Sequence, residues 1–129
     1  MRGYDHGYVH WNELLTRDAA GAAEFYAKVL GWEIMEVDMG GPHPYRVAKV
    51  GEDMVAGIMQ MHGPEFEGMP ERWVPYMAVD DADKAAADAR AAGAKVVNEP
   101  FDVPGVGRIV MIHDNVDAVL GLMKPANPE

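Results

Sequence analysis

The chain has 129 residues, of which 49% are hydrophobic and 25% charged, and no cysteine; this is globular composition, and it excludes a disordered chain, a disulfide framework, a thiolate metal site and a cysteine nucleophile. Eleven Lys and Arg against twenty-one Asp and Glu give a formal charge of -10, and the basic residues are dispersed, so nucleic acid is not expected as a partner. No apolar run approaches the ~20 residues of a membrane span, and Met1-Arg2-Gly3-Tyr4-Asp5-His6 lacks the apolar core of a signal peptide, so a cytoplasmic location with no membrane partner is expected.

Tyr8 to Leu15 reads as a strand, rich in aromatic and branched residues. Asp18 is a good N-cap. After it Ala22, Phe25, Tyr26, Val29 and Leu30 recur at helical spacing, and Gly31 is the expected stop. Strands follow at Trp32 to Asp38, Tyr45 to Val50 and Met54 to Met61, separated by Gly40-Gly41-Pro42 and Gly51-Glu52-Asp53. Residues 63–72, rich in proline, glycine and glutamate, read as a linker.

The plan then repeats. Trp73 to Val79 is a strand, and Asp80 or Asp81 caps a helix lined by Ala82, Ala85, Ala86 and Ala89 that stops at Gly93. Ala94 to Val97, Arg108 to His113 and Ala118 to Met123 read as strands, with turns at Pro104-Gly105-Val106-Gly107 and Asp114 to Asp117. Pro125 and Pro128 mark a tail. Cap to cap (Asp18 to Asp81) the offset is 63 positions, and stop to stop (Gly31 to Gly93) it is 62. A first βαβββ module over 8–62 and a second over 73–124, within one domain spanning 1–129, account for that spacing.

Two such modules resemble the vicinal-oxygen-chelate superfamily of glyoxalase I, extradiol dioxygenases and bleomycin- and fosfomycin-resistance proteins. The resemblance is carried by Leu14-Leu15-Thr16-Arg17-Asp18, Ala23-Glu24-Phe25-Tyr26 and Val29-Leu30-Gly31-Trp32-Glu33. In the second half it is carried by Ala78-Val79-Asp80-Asp81, Ala91-Ala92-Gly93-Ala94 and Pro104-Gly105-Val106-Gly107-Arg108. It implies an α+β fold, two βαβββ modules forming a curved eight-stranded cup with the helices outside, and a homodimer. Active members of this family hold a divalent metal on the inner face, with one His or Glu ligand from each of four strands. Counted from the helix landmarks, those positions fall on Trp11, Gly57, Val74 and Gly121, which supply no ligand set. A one-residue slip brings His10 into the first position and repairs none of the others. No cofactor is therefore expected, and the family's metal is disfavoured.

Side chains two apart on a strand share a face. Alternation places Trp11, Glu13 and Leu15 on the lining, with Val55, Gly57, Met59, Met61, Val74, Tyr76, Ala78, Val119, Gly121 and Met123, while Asn12 and Leu14 face the helix. The lining is apolar and aromatic with one carboxylate and one phenol, as small-molecule pockets are. Gly57 and Gly121 leave room for a ligand or mark bulges. Trp11, Tyr76 and the methionines are equally readable as core. Arg108 is read either as reaching an anion at the mouth or as a solvated strand residue. His10 and Glu13 point to opposite faces, and the other histidines, His6, His43, His62 and His113, fall mostly in turns or ends. The chain contains no serine, no His-Glu-x-x-His and no phosphate loop with a lysine.

Two functions remain beside a blander reading, a partner module whose cup is filled by its own side chains. One is a metal-free protein binding a small, partly apolar ligand through Trp11, Glu13, Gly57, Met59, Val74, Tyr76, Arg108, Gly121 and Met123, as the drug-sequestering relatives do. The other is a lyase, isomerase or dioxygenase, metal-dependent or using Glu13 as the catalytic base.

Overall fold

Both helix signals act as expected in the computed structural model, which describes residues 2–103 and 106–126. Pro104 and Gly105 of the expected turn, and Pro128 of the expected tail, lie outside the described residues. Helix α1 (Ala19–Leu30) starts at Asp18, whose side chain accepts from the Gly21 N–H, and ends at Gly31 in the left-handed conformation at φ 73°. Helix α2 (Ala82–Ala91) starts at Asp81, whose side chain accepts from the Lys84 N–H. It closes with a paired C-terminal motif: Gly93 N–H donates to Arg90 O at 3.1 Å and Ala94 N–H to Ala89 O at 2.9 Å. The positive φ of 98° at Gly93 makes that motif cheap for glycine alone.

Nine strands accompany these helices among the described residues: β1 (Val9–Thr16), β2 (Glu33–Val37), β3 (Tyr45–Val50), β4 (Asp53–Gln60), β5 (Arg72–Ala78), β6 (Lys95–Val96), β7 (Phe101–Val103), β8 (Gly107–His113) and β9 (Val119–Pro125). The chain divides into two units, Asn12–Trp73 and Met1–Trp11 with Val74–Glu129, and β1 and β5 each cross the boundary.

In the unit Asn12–Trp73 the strand order is β2-β3-β4-β1, with β1 and β4 parallel and the other pairs antiparallel. Its helix-side core joins Leu14, Ala19, Ala23 and Ile58, with Tyr26 and Ile34 packed against them. In the other unit the order is β6-β8-β9-β5, with β7 also on β8 and β5 parallel to β9. Its core joins Ala86, Val110 and Ile112, with Leu120 and Leu122 against them. Each unit is thus a βαβββ module whose first and last strands pair in parallel, and the α+β class is that of the repeat. Alanines on both helices let the backbone approach the sheet closely.

The expected count of eight strands becomes nine because the second strand of the second module is split. Pro100 has no N–H to give to a ladder. Across the break, Val97 N–H donates to Met111 O at 2.9 Å and the Asn98 side chain accepts from Met111 N–H at 3.4 Å. The pairing then resumes as β7, Phe101 opposite Ile109.

Residues 63–72, read as a linker, are tied back to the end of β1. The Glu71 carboxylate accepts from Thr16 Oγ1 at 2.5 Å and from the Arg17 N–H at 2.7 Å, and the Arg17 guanidinium donates to Phe66 O at 2.7 Å. Gln60 supports the start of α1, accepting from Ala19 N–H at 2.9 Å and donating to Arg17 O at 2.6 Å.

Candidate functional site

The pairing of β1 with β4 sets the first half of the site. Leu14 stands opposite Ile58 on the side facing α1, so Glu13 with Gly57 and Leu15 with Met59 share the other face. On β3, Val47 stands opposite Gly57, which puts Tyr45, two residues before it, on that same face. Tyr45 Oη donates to Glu13 Oε2 at 2.8 Å. Their strands are separated by β4, about 9.5 Å from one to the other. The two side chains meet across a strand whose residue level with Glu13 is glycine. Leu15 is buried, while Glu13 and Met59 are half-buried. Met61 is buried beyond the end of β4 and borders a depression of about 370 Å³ with Arg17, His62 and Phe66.

The other unit has a matching arrangement. Tyr76 pairs with Gly121 and Ala78 with Met123. Val74, Tyr76 and Met123 are buried and Trp11 is half-buried. The expectation that Gly121 leaves room for a ligand is corrected here, since a Cβ built on Gly121 would collide with Cδ2 of Tyr76 and sit 2.5 Å from Cε2. The ring uses that space. Glu13 and Tyr76 are repeat equivalents, as are Gly57 and Gly121, so each module sets a long side chain on its first strand opposite a glycine on its last.

Arg108 does not stand with these residues. Its β8 neighbour Val110 belongs to the core beneath α2, and Arg108, two residues away, lies on that same side. Its guanidinium makes two bonds to Asp83 in the first turn of α2, at 2.8 and 3.0 Å, and a third to Asp102 at 3.2 Å. The guanidinium holds the Asp83 carboxyl below its ordinary value, and the two carboxylates raise the pKa of Arg108. The reading that sent Arg108 to an anion at the mouth is replaced by this ion-paired clamp on the helix side.

A family model described as Glyoxalase/Bleomycin resistance protein/Dioxygenase superfamily matches residues 8–119. The chain belongs to this superfamily. CFP32 of Mycobacterium tuberculosis, provisionally named a glyoxylase, is 42% identical over 120 residues, covering 93% of this chain and 45% of that protein. The anthracycline biosynthesis protein DnrV of Streptomyces peucetius is 29% identical over 135 residues, covering 96% of this chain and 49% of that protein. This chain therefore spans about half the length of these relatives. A methylmalonyl-CoA epimerase of Streptomyces coelicolor shares the fold, with a TM-score of 0.68 at 19% identity over 95% of this chain and 100% of that one.

The superfamily's divalent ion meets a poor donor set in this member. Trp11, Gly57, Val74 and Gly121 offer no ligand atom. Among the described residues no three histidine or carboxylate side chains gather where one ion could hold them. His10 is engaged through Nδ1 with Gly3 O at 2.7 Å, and His113 with Asp117 at 3.0 Å. His43 and His62 approach each other, with ring centroids 4.9 Å apart, as a pair only. The residues present do not fit the ion at the counted positions.

Tyr45 is the site residue that sequence reading missed. Its strand was legible, but its place in the site depends on the β3–β4 register, which brings it level with Met59. Alternation back from Val47 was the available signal.

Proposed function

We propose that this chain binds a small, partly apolar molecule on the sheet faces opposite its helices, without a metal. The observation that carries the proposal is the Tyr45–Glu13 contact, one polar feature set among Leu15, Val47, Gly57 and Met59. On the corresponding face of the other unit Trp11 is half-buried, over the buried Val74, Tyr76 and Met123. Few polar groups among apolar ones is the composition of ligand sites. The relative named for anthracycline biosynthesis supports a polycyclic, partly apolar ligand. Equilibrium dialysis of daunorubicin against the full chain, before and after chelator treatment, tests this. Saturable binding indifferent to chelator is expected; binding that requires added Mn, Ni or Zn would overturn the metal-free reading.

A second reading follows from the relative named a glyoxylase. There the same carboxylate serves as general base of a lyase, isomerase or dioxygenase. Glu13→Gln separates the two readings, leaving binding of a neutral ligand nearly intact while abolishing any proton transfer.

The proposed setting is a cytoplasmic homodimer, with neither membrane nor nucleic acid as partner. Among the described residues no helix is long and apolar enough to cross a membrane. Phe25, Val29 and Leu30, at 57, 59 and 53% exposure, give α1 an apolar outer surface that a second copy would cover. Sedimentation at micromolar concentration tests the dimer, and a monomer there counts against it.

A further inference from the structure

Arg72 opens β5 with a polar atom that the fold leaves unmatched. Its Nε is buried and has no hydrogen-bond acceptor among the described residues, and no ion pair among them engages the guanidinium. The adjacent Glu71 does not serve it, because that carboxylate accepts from Thr16 Oγ1 and the Arg17 N–H. A buried donor without a partner costs free energy that an incoming acceptor recovers. The side on which Arg72 lies follows from its neighbours. Trp73 Nε1 donates to Tyr26 Oη at 3.1 Å, and the two rings meet edge to face at 5.5 Å. Tyr26 packs on the core beneath α1 with Leu14 and Ile58, so Trp73 is on the helix side. Glu71, two residues before Trp73, reaches Thr16, two residues after Leu14, on that same side. Arg72 between them projects to the opposite side, that of Glu13, Gly57 and Met59. The Glu71 bonds also fix its level: β5 begins beside the end of β1, where Leu15 stands opposite Met59. All of these residues belong to the unit Asn12–Trp73, and Arg72 as a whole is half-buried rather than sealed.

We propose that Arg72 is the anion-recognition residue of the ligand face, and that the face takes partly apolar molecules bearing a carboxylate. The proposal rests on the ligand-binding reading of the same face. A planar guanidinium presents a fork of N–H donors that matches the two oxygens of a carboxylate. Leu15 and Met59 lie at its level for the apolar body. Glu13 is two residues back along β1 from Leu15, about 7 Å, so a carboxylate held at Arg72 is not set against it. A chain of net charge -10 repels anions at long range, so a preference for a carboxylate over its neutral counterpart requires a local cation.

Equilibrium dialysis of 2-naphthoate and its neutral counterpart 2-naphthamide against the full chain at neutral pH tests it. The unaltered chain is expected to bind naphthoate tighter than naphthamide by about tenfold or more. Arg72→Gln should remove that preference and leave the affinity for naphthamide nearly unchanged. The Arg72 Nε–H resonance of the unaltered chain should move on titration with naphthoate and stay in place with naphthamide, a readout that needs no variant. Naphthoate bound no tighter than naphthamide overturns the proposal and, with naphthamide still bound, leaves the ligand-binding reading standing. A preference that survives in Arg72→Gln, loss of both probes in that variant with its circular dichroism intact, or a stationary Nε–H resonance at saturation with naphthoate also overturns it. Saturable binding of neither probe overturns it as well, and daunorubicin dialysis then decides the ligand-binding reading separately.

Discussion

The ring of Tyr76 occupies the space that a side chain at Gly121 would need. The two residues are register partners on β5 and β9, as Glu13 and Gly57 are on β1 and β4. The glycine is required by packing: Gly121 is not among the residues with positive φ, so its backbone conformation is open to any residue.

Gly121→Ala should therefore destabilise through overpacking alone. Tyr76 is only 7% exposed, so its ring is held among packed neighbours. A loss of about 1–3 kcal/mol is expected from urea unfolding. Gly121→Ala combined with Tyr76→Leu should recover part of it, because the shorter side chain vacates the contact. Unchanged stability in the single variant would refute this account of the glycine.

The repeat was legible because its signals are local. Asp18, Gly31, Asp81 and Gly93 are caps and stops whose effect depends on the backbone within a few residues, and all four act as the sequence implies. The face assignment for Leu14 follows from period-two alternation. The split of the second module's second strand was not legible, since the Asn98 side chain standing in for a ladder group depends on Met111, thirteen positions away. Long-range partners also decided the site. Arg108 could be read as an anion binder until Asp83 and Asp102 were seen to hold it. Tyr45 joined Glu13 only once register set β3 beside β4.

Tyr45→Phe removes the phenol donor from a half-buried carboxylate while keeping the ring. The expected cost is about 1–2 kcal/mol, typical of a hydrogen bond to a charged group. In a double-mutant cycle with Glu13→Gln the two losses should fall short of additivity, because both variants break the same contact. Full additivity would show that the pair is not coupled.

Arg108→Gln should release Asp83. The guanidinium bond holds that carboxyl below its ordinary value of 3.8, so in the variant its NMR titration midpoint should rise toward 3.8. The thermal midpoint should fall slightly, and the difference from the unaltered chain should shrink in high salt, as exposed ion pairs are screened. Affinity for daunorubicin should stay unchanged, since Arg108 lies on the helix side. A large loss of affinity would return Arg108 to the binding face.

Glu71 should make the anchoring of residues 63–72 acid-sensitive. Its carboxyl is held below the ordinary 4.5, chiefly by the Thr16 hydroxyl and then by the Arg17 N–H. A carboxyl whose folded value is depressed contributes stability that is fully present above its unfolded value and is lost as pH falls through the folded one. The stability of the unaltered chain should therefore exceed that of Glu71→Gln at about pH 6, and the gap should shrink as pH falls below 4.5. The same window should be visible directly, with the Glu71 carboxyl carbon titrating below 4.5. Thr16→Val removes the first of the two donors and should move that midpoint upward without abolishing the Arg17 contact. A gap between the chain and Glu71→Gln that is constant across this range, or a midpoint at or above 4.5, would show that Glu71 does not hold this segment to the end of β1.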